Sequence, residues 1–306
     1  MYDVLIIGGG PAALSAAMYA GRLKLNTVVL AGLRGGTVVN TNEITNWPGI
    51  KTISGFELAR QLEEHAKEYN VAIKDSFAKE IKRKDDGHFV VLTVSGETYE
   101  GKSLIIATGT DVRKLGVKGE AEFQNRGVHY CALCDGFFYT DKVVAVVGGS
   151  DSAVKEALLL TQWAKKVYII YRRDKLRAEP ANLDKLKENN KIEVITNTNI
   201  IEIRGNENGV NEVVLDRPFN GNARLSLDGV FVEIGRVPNN GLAKQLGVNF
   251  NENGEIITDK EGKTNVNGVF AAGDITNLPF KQAITAAAEG VIAAHSAYEY
   301  LQKREG

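Results

Sequence analysis

The sequence predicts an α/β protein with two similar domains, the second inserted within the first. Three observations carry this reading. Short β-branched runs alternate with helix-forming stretches, as in parallel sheets covered on both faces. A segment near the start recurs without gaps at an offset of 140 residues. An apolar strand and an alanine-rich helix close the chain, placed to complete the first domain around the second.

Composition agrees. The 306 residues exceed the length, roughly 250, at which single cores stop growing. A content of 43% hydrophobic and 25% charged residues excludes disordered, collagen-like and disulfide-scaffold classes. The net charge of -1 gives no electrostatic case for nucleic acid or an anionic membrane. No apolar run approaches the ~20 residues of a membrane span. Met1-Tyr2-Asp3 leads straight into a strand, without a basic n-region or cleavage site, so no signal peptide and a cytoplasmic location are expected.

The repeat sets out the elements in order. Val4-Leu5-Ile6-Ile7-Gly8-Gly9-Gly10-Pro11-Ala12-Ala13 aligns with Val144-Ala145-Val146-Val147-Gly148-Gly149-Ser150-Asp151-Ser152-Ala153. Val28-Val29-Leu30 then falls on Tyr168-Ile169-Ile170. Each copy reads as strand, glycine turn, helix and second strand, a βαβ unit. Residues 70 to 110 read as short strands and hairpins, among them the alternating run Phe89 to Val94. Leu104-Ile105-Ile106-Ala107-Thr108-Gly109 is a buried strand ending on glycine. Residues 111 to 130 are mixed and are expected to cross between domains. Strands follow at Val213 to Leu215, Val230 to Ile234 and Val269 to Ala272, and a helix at 281 to 301. The expected domains are 1–112 with 240–306, and 113–239.

Gly8, Gly10 and Ala13 form a G-x-G-x-x-G/A dinucleotide fingerprint after a strand and before a helix. Gly8 allows the tight turn, Gly10 lets the backbone approach a pyrophosphate, and the helix N-terminus favours the anion. The acidic residue expected about 20 residues on is missing; that place reads Leu30-Ala31-Gly32. The second copy has Ser150 for the middle glycine, whose Cβ narrows the approach and which requires a negative φ. Its second strand runs into Tyr171-Arg172-Arg173-Asp174, with Arg177 beyond. Arginine there suits a 2′-phosphate and so NADP(H) over NAD(H); the bland alternative is a solvated basic turn.

The only cysteines, Cys131 and Cys134, are spaced C-x-x-C before Asp135. The pair can cycle between dithiol and disulfide, and Asp135 could supply or hold a proton. A zinc site would need further nitrogen or sulfur ligands. There is no third cysteine, and His65, His88 and His295 show no ligand spacing to His129, so no metal is expected. His65 and His295 read as surface or packing residues.

Together these residues resemble the low-molecular-weight thioredoxin reductases over essentially the whole chain. The pieces are Gly8 to Ala13, Thr45-Asn46-Trp47-Pro48-Gly49, Ala107-Thr108-Gly109, Cys131-Ala132-Leu133-Cys134-Asp135-Gly136, Asp151-Ser152-Ala153, Arg172-Arg173-Asp174 with Arg177, and Phe270-Ala271-Ala272-Gly273-Asp274. The resemblance implies two Rossmann-like, three-layer ββα dinucleotide-binding domains. It assigns Gly8, Gly9, Gly10, Pro11, Ala12, Ala13, Gly35, Gly36, Asn46, Thr108, Gly109, Gly273, Asp274, Lys281, Gln282 and Ala283 to FAD. It assigns Gly148, Gly149, Ser150, Asp151, Ser152, Arg172, Arg173 and Arg177 to NADPH. It implies electron flow from NADPH through FAD and Cys131/Cys134 to a disulfide on thioredoxin or a thioredoxin- or glutaredoxin-like protein. Cys134 would face the flavin, Cys131 would attack the partner, and Asp135 would act as acid/base. A homodimer and a swinging NADPH domain are also implied. The chain departs from the family at Thr37, Ser150, Tyr171 and Lys281, which stand where glutamine, glycine, histidine and arginine are usual. Rival readings are a reductase fed by ferredoxin or a deazaflavin, a FAD-dependent dithiol oxidase, and a non-enzymatic flavin-binding module.

Overall fold

The computed structural model describes residues 1–41 and 44–305, without the side chains of Cys134 and Glu305. The chain forms two compact units, Met1–Asp111 with Pro238–Gly306, and Val112–Val237.

The first unit opens with β1 (Tyr2–Ile7), α1 (Pro11–Arg22) and β2 (Thr27–Leu30). A 3-10 turn at Gly36–Asn40 leads to α2 (Gly55–Glu68). The Ser54 hydroxyl caps α2 by accepting from the Glu57 N–H at 3.1 Å. Next come β3 (Ala72–Lys74), β4 (Ala78–Arg83), β5 (Phe89–Thr93) and β6 (Thr98–Ile106). The sheet order is β3-β2-β1-β6-β5-β4, parallel from β3 to β6 and antiparallel beyond. Side-chain alternation buries both faces of β1. Val4 and Ile6 pack on the alanines of α1, while Leu5 and Ile7 pack with Ile81, Phe89 and Val91 of the hairpin. Each fully buried aliphatic side chain of this kind contributes about 1.5–3 kcal/mol.

The chain leaves along β7 (Thr110–Val112). The second unit contains β8 (Val128–His129), α3 (Ala132–Asp135), a 3-10 turn at Gly136–Tyr139, β9 (Val143–Val147), α4 (Asp151–Leu160) and β10 (Lys166–Ile170). It continues through α5 (Pro180–Glu188), β11 (Ile192–Ile195), β12 (Ile200–Asn206), β13 (Gly209–Phe219), β14 (Asn222–Ser226) and β15 (Gly229–Val232). A parallel sheet runs β11-β10-β9-β15-β8. Val144 and Val146 of β9 pack on Ala153, Ala157 and Leu160 of α4. Ala145 and Val147 pack on the antiparallel β12-β13-β14 sheet through Ile203, Val213 and Leu215. The layers are therefore sheet, sheet and helix. Each β9 position repeats its β1 counterpart, with β10 and β15 beside it where β2 and β6 flank β1.

The return strand β16 (Arg236–Pro238) pairs with β7. Then come α6 (Gly241–Lys244), β17 (Val269–Ala271) and α7 (Ala283–Glu305). β17 adds in parallel to β6, and α7 lies on α1. Small residues set that approach: a Cβ at Gly290 would stand 2.1 Å from the Ala12 carbonyl oxygen. Among the described residues, no helix is long and apolar enough to cross a membrane.

Candidate functional site

The first glycine turn is shaped by its neighbours. Gly8 has φ +130°, and a Cβ there would meet the Ala107 carbonyl oxygen at 2.1 Å. At Gly9 a Cβ would meet the Leu33 carbonyl oxygen at 2.3 Å. Gly10 is different. It caps α1 with φ -82° and ψ -175°, an extended conformation open to any residue. A Cβ there would have no protein atom nearer than Gly36 Cα at 3.8 Å. A Cβ at Gly10 would make only ordinary contacts, and the space it would fill lies at the helix N-terminus, where a phosphate group is favoured. Pro11 opens the helix, where its missing N–H costs nothing.

Other residues assigned to FAD by the resemblance converge on this turn. Gly36, at φ +62°, lies so near that its Cβ would be 2.8 Å from Gly10 Cα. A Cβ on Gly273 would stand 2.9 Å from Ala12 Cβ and 3.6 Å from that of Ala286, in the first turn of α7. Gln282 supplies the first carbonyl of α7, to the Ala286 N–H at 2.9 Å. Its side-chain oxygen accepts from Asn46 Nδ2 at 3.0 Å. The Thr108 hydroxyl donates to the Asn239 carbonyl at 2.9 Å, and Asn239 Nδ2 donates to the Thr108 carbonyl at 3.2 Å, which pins the segment before Gly109. Lys281 is committed internally: its ammonium donates to the carbonyls of Asp274 (2.7 Å) and Thr276 (2.9 Å) and pairs with Glu255. It braces the loop that carries Asp274.

Asn239 and Glu289 escape sequence reasoning because no motif marks them. Glu289 accepts from the Gly273 N–H at 2.7 Å, and burial pushes its carboxyl above the ordinary range.

The second turn reproduces the first. Gly148 has φ +150°, and a Cβ would sit 2.1 Å from the Glu233 carbonyl oxygen, the counterpart of Ala107. Ser150 caps α4 with φ -82° and ψ 175°, within about 10° of Gly10. Gly149 lies against the Tyr171 ring, 2.5 Å from where its Cβ would be. The arginine loop folds back on this turn: the Arg177 N–H donates to the Gly149 carbonyl at 2.6 Å, and Ser150 bridges Arg177. The side chains of Arg172, Arg173 and Arg177 are exposed, with no hydrogen bond or ion pair among the described residues. Asp151, in contrast, is occupied. It accepts from the Glu179 N–H and Asn182 Nδ2 and pairs with Lys155, bracing α5. Ser152 is exposed on the first turn of α4.

The cysteine turn lies in the same unit. Cys131 is disulfide-bonded and precedes α3, to which it supplies its carbonyl for the Asp135 N–H at 3.2 Å. Cys134 lies on α3, and the role implied for its thiol falls outside the described side chains. Behind Asp135 stands His129, buried and stacked on Phe231 at 5.3 Å. Its Nε2 is 2.7 Å from the Tyr139 hydroxyl. Its Nδ1 is 3.0 Å from Asp135 Oδ2, within ion-pair distance but out of line for a hydrogen bond. Burial lowers the His129 pKa against the pull of Asp135, so the imidazole is neutral at pH 7. Burial also pushes Tyr139 up to about 12, so its hydroxyl keeps its proton. The sequence marks His129 only as a possible metal ligand; its fit against Asp135 depends on β8 and α3, which no local pattern reveals.

Comparison with known proteins follows this geometry. The profile of the pyridine nucleotide-disulphide oxidoreductases matches residues 2–290. A thioredoxin reductase of Helicobacter pylori is 41% identical over 310 residues, covering 99% of both chains. One from Listeria innocua is 40% identical over 305 residues, 99% of this chain and 95% of that one. Among solved structures, Lactococcus lactis thioredoxin reductase has a TM-score of 0.93 at 39% identity, covering 99% of this chain and 100% of the other. That of T. acidophilum has a TM-score of 0.90 at 36% identity, covering 97% and 98%. The chain belongs to the pyridine nucleotide-disulphide oxidoreductase family and, within it, to the thioredoxin reductases.

Proposed function

We propose that this oxidoreductase is an NADPH-dependent thioredoxin-disulfide reductase that holds FAD at the first glycine turn and works as a homodimer. The observation that carries the reading is the disulfide at Cys131, placed in sequence between two glycine turns of one backbone shape. The space kept clear at Gly10 supports a dinucleotide there. The arginine loop folds back on the Ser150 turn through its backbone, and its three guanidinium groups, exposed and unpaired among the described residues, support a 2′-phosphate, hence NADPH, at the second. They also count against a donor without a nucleotide, whether oxidase, ferredoxin or deazaflavin.

Bound at these turns, nicotinamide and flavin would supply hydride transfer and a two-electron path to the disulfide. The protein's residues bind, orient and handle protons. The start of α1 would hold one pyrophosphate and the start of α4 the other. In the reduced pair the Cys131 thiolate attacks the partner's disulfide, and Asp135 holds or gives a proton beside it. Phe137 and Phe138, next to the turn and 64% and 63% exposed, offer the apolar surface that suits a small protein such as thioredoxin.

An anaerobic stopped-flow experiment tests the reading. NADPH should bleach the flavin faster than NADH, and no nucleotide should leave it oxidised. Cys131→Ser and Cys134→Ser should each abolish thioredoxin reduction while bleaching persists. A colourless protein that takes up no FAD, or a serine variant with full thioredoxin reduction, defeats the proposal.

A further inference from the structure

The cysteine turn is tied to the nucleotide-binding helix of its own unit by one carboxyl. Glu156, on α4, accepts the backbone N–H of Ala132, which lies inside the C-x-x-C. That N–H has no partner within α3, so the carboxyl is what satisfies it. Ionised Glu156 therefore has two effects on the reduced pair. It occupies the amide, and it places a negative charge against the backbone of the turn that carries both cysteines.

The charged surroundings of Glu156 are few. Asp135 on α3 and Glu233 after β15 repel it, and Arg236 on β16 attracts it. Lys155, its neighbour on α4, turns to Asp151 instead. His129 and Tyr139, on the strand and turn flanking α3, are uncharged at pH 7. The Glu156 carboxyl is desolvated enough to be pushed up to about 7, and burial pushes Glu233 up to about 8 with help from Glu156. Neither group is absorbed by the roles assigned above, and no sequence motif points to either.

We propose that Glu156 is a positioning residue for the redox turn, whose charge, together with its hold on the Ala132 N–H, raises the barrier to forming the attacking thiolate. The proposal deepens the redox role assigned to Cys131 and rests on it. When Glu156 takes up a proton, the negative charge leaves the turn and the thiolate forms more readily. Glu156 and the thiol thus titrate against each other, and the pair has a broadened pH response.

The test uses the full chain reduced with a phosphine and alkylated with iodoacetamide, with the rate at each cysteine followed by peptide mass spectrometry from pH 5 to 9. In the wild type the rate of the more reactive thiol should rise over a wider pH span than one titration allows. Glu156→Gln keeps an acceptor for the Ala132 N–H and removes the charge. It should narrow the curve to a single titration and raise the rate at pH 7 by about threefold, as a lower thiol pKa demands. Glu156→Ala, which also frees the amide, should raise it at least as much. A Glu156→Gln curve superimposable on the wild type overturns the proposal, even if Glu156→Ala differs, because the side chain would then be a structural brace alone. Alkylation reads the thiol with flavin bound or removed, so its outcome is independent of the donor experiment.

Discussion

Replacing Gly10 with alanine adds one methyl group whose nearest protein neighbours would be Gly36 Cα at 3.8 Å and the Gly35 carbonyl oxygen at 3.9 Å. Both are ordinary contacts, and the backbone at φ -82° suits alanine. The folded protein should therefore lose nothing. The unfolded chain loses freedom, which stabilises the variant by about 0.4–1 kcal/mol. For a domain of this size that raises Tm by roughly 1–4 °C. Binding should move the other way. The methyl group projects into the space read here as the phosphate cradle, and forcing an extra carbon into a close contact costs about 1–3 kcal/mol. FAD should bind roughly 5- to 150-fold more weakly. The comparison is Gly8→Ala, whose Cβ would lie 2.1 Å from the Ala107 carbonyl oxygen at φ +130°. That variant should lose both stability and FAD. Calorimetry of the flavin-free protein and a flavin-fluorescence titration measure the two quantities separately. Unchanged FAD affinity in Gly10→Ala refutes the cradle, and a loss of stability matching that of Gly8→Ala refutes the packing argument.

Three further outcomes follow from the same geometry. Combined Arg172→Ala and Arg173→Ala should raise the KM for NADPH by roughly 10- to 150-fold, the worth of a charge-assisted hydrogen bond or two, and leave that for NADH unchanged. Steady-state kinetics with a disulfide dye decides it, and an equal effect on both nucleotides would sink the 2′-phosphate assignment. Glu233 has a folded pKa near 8, above its unfolded value, so the folded state binds the extra proton. Stability from this group is full below about pH 4, and it falls as pH rises through 8. Denaturant melts should show the wild type weakening from pH 6 to 9 and Glu233→Gln weakening less. Gly221→Ala, at φ +81° in the turn between β13 and β14, should cost about 1 kcal/mol by chemical denaturation. Turnover should be unaffected, and a loss of activity beyond the loss of folded protein would contradict that.

Much of this architecture was legible in the residues. The 140-residue offset marks the parallel strands of both sheets because buried strands and glycine turns leave period and punctuation in the chain. The strand near Leu104 and the closing helix were also legible, although the helix runs over Ala283–Glu305 and not 281 to 301. Of the three-stranded sheet over β9, the buried pattern of the sequence marks only one strand, near Val213. Its full extent, Gly209–Phe219, ends in Asn220-Gly221, both with positive φ, a hairpin signal in plain view. The site divided in the same way. Glycines and cysteines announce themselves by spacing. Glu156, Glu233, His129 and Asn239 reach their partners from other strands and helices, and such long-range contacts have no local signature.

Gly10 and Ser150 share one backbone conformation while carrying different side chains. The turn's shape is stored in the glycine two residues earlier and in the carbonyl packed against it. The third position is thereby released from architectural duty. Each pocket can therefore differ at that spot without recasting the scaffold beneath.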